Sequence, residues 1–511
     1  MAAQVGSSAP QGWRRGRVRA YRGPSHSGHH GTGYDMPGGD VHDLRVSLGG
    51  LRELYELSAT TEDLTIELFV EPSGRFEAVL SQAITRVRDE QDRLLYVLRP
   101  DLLPAEPGAE QAPPSDPAPA GDPDEAVRLF RDYVRKRADI LGEADPLPPP
   151  LPPAERAALL AAFHGELPPD LVALYGEADG DDETGLFHGH LWFTLASTTT
   201  VVHHRSAWKW TDDPLWAMPG DAEPPGLIRR QRSSPGWIPF ATSTGGDYLA
   251  VDMDPGPEGR PGQVIRVGIH YDGAPVYVAD SVTAMLRGLV TALDQGDYWE
   301  DDDHLELDAR LPSYLDATDA FWRGEGPIPQ NPHTVQSLVV DRAGGVDLEP
   351  VRRAPHLRTV VLFGGGGEGT VDLRPLLDAP LEALRLDLRA VDLGQLAGHP
   401  TLRVVRLGTG NPVDLGVLRT FPRLEGLDLA DAAVRDLTPI SELNGLLSLT
   451  LSPEQWRELG KAPSLAAAGL GGDPTPEQVN EWAARFEPGD APGGRLGDQP
   501  GGHEYYAGRF D

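Results

Sequence analysis

The chain has 511 residues, a net charge of −33 and no cysteine. This length holds about three domains with sizeable cores. The lack of cysteine excludes disulfides and thiolate metal sites, and the acidic balance argues against nucleic acid and anionic membrane surfaces as partners. No apolar run reaches the ~18 residues a membrane span needs, so the expected location is cytoplasmic. Of 45 basic residues only Lys136, Lys209 and Lys461 are lysine, and with 59 Gly and 49 Pro this bias suggests a GC-rich bacterial genome.

Residues 1–40 are rich in Gly, Ser and His and carry Arg14, Arg15, Arg17, Arg19 and Arg22 without an apolar run. They read as a disordered basic tail, and Met36 offers a second translation start. Residues 41–104 read as a small α/β module with strands at Leu64–Val70 and Arg93–Leu98; residues 76–87 fit a strand or a short helix. Residues 105–122, dense in Pro, Ala, Gly and Asp, read as a linker.

A helix opens at Asp122, with Pro123 at its first position and Glu125 three residues after the cap, and Gly142 stops it. Pro146–Pro153 reads as a stiff spacer, and a second helix follows over residues 154–164. Tyr248–Val251 is a short apolar run between Gly245-Gly246 and Asp252-Met253-Asp254-Pro255. It reads as a buried strand, returning over Gln263–Val267 through the turn-rich segment 254–262. The expectation is an antiparallel hairpin with Trp237 and Phe240 packed at its foot, both buried.

Three clusters invite a chemical reading. His188, His190, His203 and His204 suggest zinc, but without cysteine or a carboxylate at ligand spacing the expectation is no metal and no cofactor. Asp252 and Asp254 suggest a divalent cation, but they sit at a strand end of ordinary turn composition. Trp208, Trp210 and Trp216 lie in a charged, Pro-rich segment; they read equally as buried anchors and as exposed interface aromatics.

Trp237, Pro239, Phe240, Gly246, Asp247, Tyr248, Asp252, Asp254, Gly262 and Gln263 together resemble the SMI1/KNR4 (SUKH) superfamily. Glu166–Tyr175 and Gly185–Leu195 are similar to its entry helix and following strand. The resemblance covers residues 123–300 and implies an α+β domain, an antiparallel sheet with flanking helices, that binds other proteins. Bacterial members include immunity proteins that neutralise toxins, and the fungal namesake regulates cell-wall synthesis.

Residues 301–330 read as an acidic linker: the stretch 294–325 holds eleven acidic and two basic residues. Such a stretch would attract a basic partner. From 331 to 487 an aliphatic-x-x-aliphatic-x-aliphatic pattern starts at Val335, Leu357, Leu381, Leu402, Leu424 and Leu446, with spacings of 22, 24, 21, 22 and 22. This looks like an α/β solenoid of short bacterial leucine-rich repeats with a cap helix after Thr475. The family's asparagine at the strand exit is missing; Arg389 and Ala432 stand there, so the turns must be built another way. The Gly run 364–367 lacks a phosphate-loop ending. Residues 488–511 read as a disordered tail.

In each repeat the alternate strand residues form a concave surface. Val339, Val361, Phe363, Arg385, Asp387, Arg406 and Asp428 are its candidate protein-binding patch, with Trp208 and Trp210 in reserve. No nucleophile elbow, phosphate loop or zinc-protease helix occurs. The reading is therefore a non-enzymatic protein-binding protein. Its most concrete form is immunity against a basic toxin. A cell-wall or signalling regulator or scaffold is the alternative, and an enzyme with an unrecognised site the third class.

Overall fold

The computed structural model describes the chain apart from residues 23–26, 30–31, 39–40, 44–48, 59–63, 83, 88–92, 100–101, 103–106, 164–165, 183, 200–217, 233, 244–245, 269–273, 302–303, 308–319, 365–370, 487–502 and 511. It is a mixed α/β molecule with several antiparallel sheets and one large, mainly parallel sheet.

Near the N-terminus, Arg17-Val18-Arg19-Ala20 alternates charged and apolar residues, the two-residue period of a strand. Strand β1 (Arg15–Arg22) buries Val18 and Ala20. The short strands β2 (Ser27–His29), β3 (Gly33–Asp35) and β4 (Val41–Asp43) and the longer β5 (Leu64–Val70) and β6 (Arg75–Ser81) join an antiparallel sheet, with β5 paired to β1 from Gly16 to Arg22. The C-terminal segment His503–Arg509 adds to the edge of β6. Strands β7 (Ile84–Val87) and β8 (Arg93–Val97) form a hairpin that leaves this sheet for another.

The middle of the chain is the α+β unit. Asp122 caps the helix Pro123–Leu141, accepting from the Glu125 N–H at 2.9 Å, and Gly142 ends it in the left-handed region at φ +78°. This helix packs beside Val282–Gln295. Both cover an antiparallel sheet of β9 (Leu191–Trp192), β10 (Trp237–Thr242), β11 (Asp247–Asp252), β12 (Gln263–Gly268) and β13 (Val276–Ala279), ordered β13-β12-β11-β10-β9. Phe240 lies in the helix-side core with Phe187, ring centres 6.1 Å apart. Trp237 lies in a separate core on the opposite face with Ala222, Ile228, Ala250 and Ile265. The two aromatics therefore do not pack together; three positions apart on one strand, they must point to opposite faces. A hairpin of β14 (Tyr298–Asp301) and β15 (His304–Leu307) tucks Leu305 and Leu307 under the helices.

The sequence period then becomes geometry. Strands β16 (Phe321–Gly324), β17 (Ser337–Val340), β18 (Thr359–Phe363), β19 (Ala383–Leu388), β20 (Val404–Val413), β21 (Gly426–Val434), β22 (Ser448–Leu451) and β23 (Ala467–Leu470) pair in parallel in that order. After each of β17 to β21 comes Asp-Leu and a 3₁₀ turn. The carboxylates of Asp347, Asp372, Asp392, Asp414 and Asp436 each accept the backbone N–H two residues on, at 2.8–3.1 Å. The adjoining Leu348, Leu373, Leu393, Leu415 and Leu437 are buried. This aspartate series supports each turn through its side chains. Beyond β23 the sheet continues antiparallel into β8 and β7, and the helix Pro476–Ala483 seals its end with Trp482 and Phe486 against Tyr96.

Five boundaries differ from the sequence reading. Residues 1–22 are ordered around β1, so 1–40 is not simply a disordered tail: Arg19 is buried beside Glu67 at 3.4 Å and Asp473. Residues 41–104 are not a separate module, because their strands divide between two sheets. Residues 107–122 are held against the α+β unit, the Gly108 N–H donating to the Arg230 carbonyl at 2.7 Å. The region 301–330 contributes the β14–β15 hairpin and β16. Residues 503–509 are a strand within the stretch 488–511. Except for the local β14–β15 and β16–β17 pairings, the partner lies far off in sequence, which local composition does not register.

Trp237 is 2 % exposed, and Trp237→Ala is expected to destabilise by about 3–5 kcal/mol. Denaturant melts showing an unchanged midpoint would contradict its place in that core. Asp414→Ala should lower the midpoint by less, with the slope unchanged; no shift at all would remove the carboxylate from the turn's support.

Candidate protein-binding surface

Register places the expected patch on one face of the parallel sheet: Arg323, Val339, Val361, Arg385, Arg406 and Asp428 stand side by side across β16 to β21. The patch is not uniformly open. Val361 and Phe363 are half-buried, and the Arg385 guanidinium lies over the Phe363 ring at 4.8 Å. Val339 and Arg385 are buried, and Arg385 is bound to Asp387 at 2.9 Å. Arg406, 2 % exposed, faces the buried Asp428 at 3.2 Å. Val339, Arg385, Arg406 and Asp428 thus depart from the expectation of free contacts. Trp208 and Trp210 lie outside the described residues.

Two segments of the chain itself cover this face. From one side Arg93 of β8 reaches Asp428 at 3.0 Å and also binds Asp431. Burial opposes its charge, but the two aspartates outweigh that and raise its pKa. Gly471 makes room for it: a Cβ there would sit 2.7 Å from Nη1. From the other side comes an arm, residues 218–231. Met218 packs on Ala383 and Val404, the first residues of β19 and β20. Gln336, just before β17, donates to the Asp221 carbonyl at 2.9 Å and accepts from the Asp221 N–H at 2.5 Å. Arg230 binds Glu382, just before β19, at 2.8 Å, and Arg358 approaches Asp221 and Glu382 at 3.6 and 3.8 Å. Sequence reasoning named Asp428 but missed Arg93, Met218, Asp221, Arg230 and Glu382, because the fold joins segments more than 100 residues apart.

The motif residues of the α+β unit fix that arm. Trp237 packs under Ala222 and Ile228. Gln263, buried, donates both to the Leu227 carbonyl at 2.8 Å and to Asp252 at 2.9 Å. Asp254 binds Arg229 at 3.0 Å, and Arg229 donates onward to the carbonyls of Gly108 and Gln111. Gly262, at φ +86°, and Gly246, at φ +89°, occupy turns that favour glycine. Asp247 is buried, Tyr248 half-buried against Phe193, and Pro239 lies within β10. The Asp252–Asp254 pair is therefore a brace rather than an open cation site: Asp252 is wholly buried and also accepts the Asp254 N–H at 3.0 Å. Burial raises its pKa to about 7, against those hydrogen bonds.

His190 Nδ1 bonds the His188 carbonyl at 3.0 Å. Burial, with His190 and Arg266 nearby, lowers His188 to about 3; a guanidinium beside two imidazoles opposes a cation. His203 and His204 lie outside the described residues, among which no group of three or more His, Asp or Glu side chains is placed to hold a metal.

Comparison with known proteins places this unit. The model of the SMI1 / KNR4 family (SUKH-1) matches residues 150–288, which carry such a domain. The chain is 40 % identical over 145 residues to a "Glucan synthesis regulatory protein" of Neurospora crassa, covering 27 % of each chain. It is 31 % identical over 118 residues to a "KNR4/SMI1 homolog" of Eremothecium gossypii, covering 23 % of this chain and 16 % of that one. It is 30 % identical over 91 residues to "Cell wall assembly regulator SMI1" of Saccharomyces cerevisiae, covering 17 % and 18 %. The match thus spans about a quarter or less of the length of these curated relatives.

Asp252 supplies a pH test. A carboxyl whose folded pKa is raised contributes stability fully present below its unfolded value, near 3.8, and lost as pH rises through about 7. Relative to Asp252→Asn, the wild type is expected to gain stability as pH falls from 7 to 4. Parallel melting curves for the two proteins across that window would refute the raised value.

Proposed function

We propose that this chain is a non-enzymatic, cytoplasmic regulatory protein that acts by binding another protein. The named relatives are regulators, and among the described residues no helix is long and apolar enough to cross a membrane. The parallel strands with their 3₁₀ turns are read as leucine-rich repeats, and their strand face as the binding surface. One observation carries this. On β16 to β18, clear of Arg93, the face keeps Phe321, 45 % exposed, in register with Ser337 and Thr359, with Val361 and Phe363 further along β18. Apolar side chains next to Arg323 and Arg385 have the composition of a protein contact.

The net charge of −33 favours a basic partner, whose association should slow as salt rises. Toxin immunity is the narrower form of the same reading and draws only on that charge and the superfamily resemblance.

Cross-linking and mass spectrometry would identify the partner, and binding kinetics would follow. Phe321→Ala with Phe363→Ala is expected to weaken capture by roughly 2 kcal/mol, through faster dissociation. Unchanged affinity would remove the face from the interaction.

A further inference from the structure

The arm lies across the strand face that the reading above assigns to a partner, and the contact it makes there is sparse. Met218 against Ala383 and Val404 is the apolar cluster joining them. The rest is polar: Arg230 with Glu382, and Asp221 with Gln336 and Arg358. Glu382 is buried, yet its Oε2 has no hydrogen-bond partner; nor have Arg230 Nη1, Arg358 Nε or Gln231 Nε2. Most buried polar atoms of a folded protein are paired. This contact leaves unused capacity at Glu382, directly beside the apolar floor of Ala383 and Val404. The opposite end of the arm is different in kind, since Trp237, Gln263 and Asp254 anchor it to the α+β unit. The arm thus belongs to that unit and only leans on the sheet.

We propose that the contact of residues 218–231 with the start of β17 to β20 is a separable, autoinhibitory latch, and that a basic segment of the partner replaces it. Such a segment sets an aliphatic side chain on Ala383 and Val404, where Met218 now sits. Its arginine or lysine takes Glu382, and an arginine can use both carboxylate oxygens. Charge favours this occupant: the chain is strongly acidic, and the resident side chain on Glu382 is itself an arginine. A ligand shifts such an equilibrium only by preferring the open form. The partner does so because the part of its site at Ala383, Val404 and Glu382 is open only when the arm is away.

The inference rests on the strand face being the binding surface, so the latch is tested without the partner and the two can fail separately. The probe is a labelled peptide of residues 218–232 of this chain, offered to the full-length protein. In Met218→Ser/Arg230→Gln the resident arm is weakened and the sheet is intact. The peptide should bind this variant at least about tenfold more tightly than wild type, and adding Glu382→Gln should abolish binding. Equal affinity for wild type and variant, or binding by neither, would overturn the latch. Hydrogen exchange on the wild type tests it independently of any variant. The Asp221 amide should exchange faster as salt is raised to about 0.5 M, which screens ion pairs, while Leu384 and Leu386 in β19 stay protected. An Asp221 amide as slow as theirs at both salts would make the contact a fixed part of the fold.

Discussion

The ladder between β23 and β8, Ala467–Leu470 against Leu94–Val97, is the constraint on which the architecture turns. A sheet grown from repeating strands and turns cannot bury its apolar face one unit at a time, and its ends stay open. Here the end beyond β23 is closed by a hairpin encoded near the N-terminus, which brings Ile84, Leu94 and Tyr96 into the same core as the repeats. The chain must therefore leave one end of the sheet, build the α+β unit, and return strand by strand to where it began. This circuit is why the arm and Arg93 reach the strand face from different sides.

Within the circuit the motif of the SMI1/KNR4 domain has a physical role that its residue types alone do not reveal. Paired aspartates, a glutamine and a tryptophan are compatible with chemistry. Their surroundings make them supports: Asp252 is consumed by Gln263 and a backbone N–H, Asp254 by Arg229, and Trp237 by the underside of residues 222–228. A carboxyl held in so apolar a place resists ionisation, which suits a brace and deprives it of the exposed charge a cation would need.

Legibility followed the range of the interaction. The period of the repeats, the capped helix after Asp122 and the burial of Trp237 depend on neighbours within a few residues or on one element's pattern, and they could be read directly. The turn aspartate stands in Val-Asp-Leu at 346, 371, 391 and 413 and in Arg435-Asp436-Leu437 at the fifth turn; that its side chain bonds the chain two residues on is a rule equally local. β1 was missed for a different reason: five arginines in its neighbourhood suggested a solvated tail, although the alternation from Arg17 to Ala20 already had a strand's period. Its charges are tolerable only because Glu67 and Asp473 meet Arg19, and nothing near residue 19 announces either. Likewise, the alternation along each strand sets out which residues share the strand face, but Arg93 and Met218, which lie against it, come from other parts of the chain.

Three junctions show one chemical preference. Arg19 joins β1 to Glu67 and to Asp473 beyond the parallel sheet, Arg93 joins β8 to Asp428 and Asp431, and Arg230 joins the arm to Glu382. Each places a guanidinium among carboxylates where an apolar contact would have served. Buried pairs of this kind return little net stability, because desolvation offsets most of their attraction. They do fix direction, since a planar fork accepts few arrangements of its acceptors, whereas an ammonium accepts many. The near absence of lysine in the chain fits that requirement. The segments are held in one geometry by oriented charge, while most of the free energy of folding resides in the separate apolar cores on either side. Breaking such a junction leaves each core intact, so the junctions, rather than the sheets, are where the molecule can change shape.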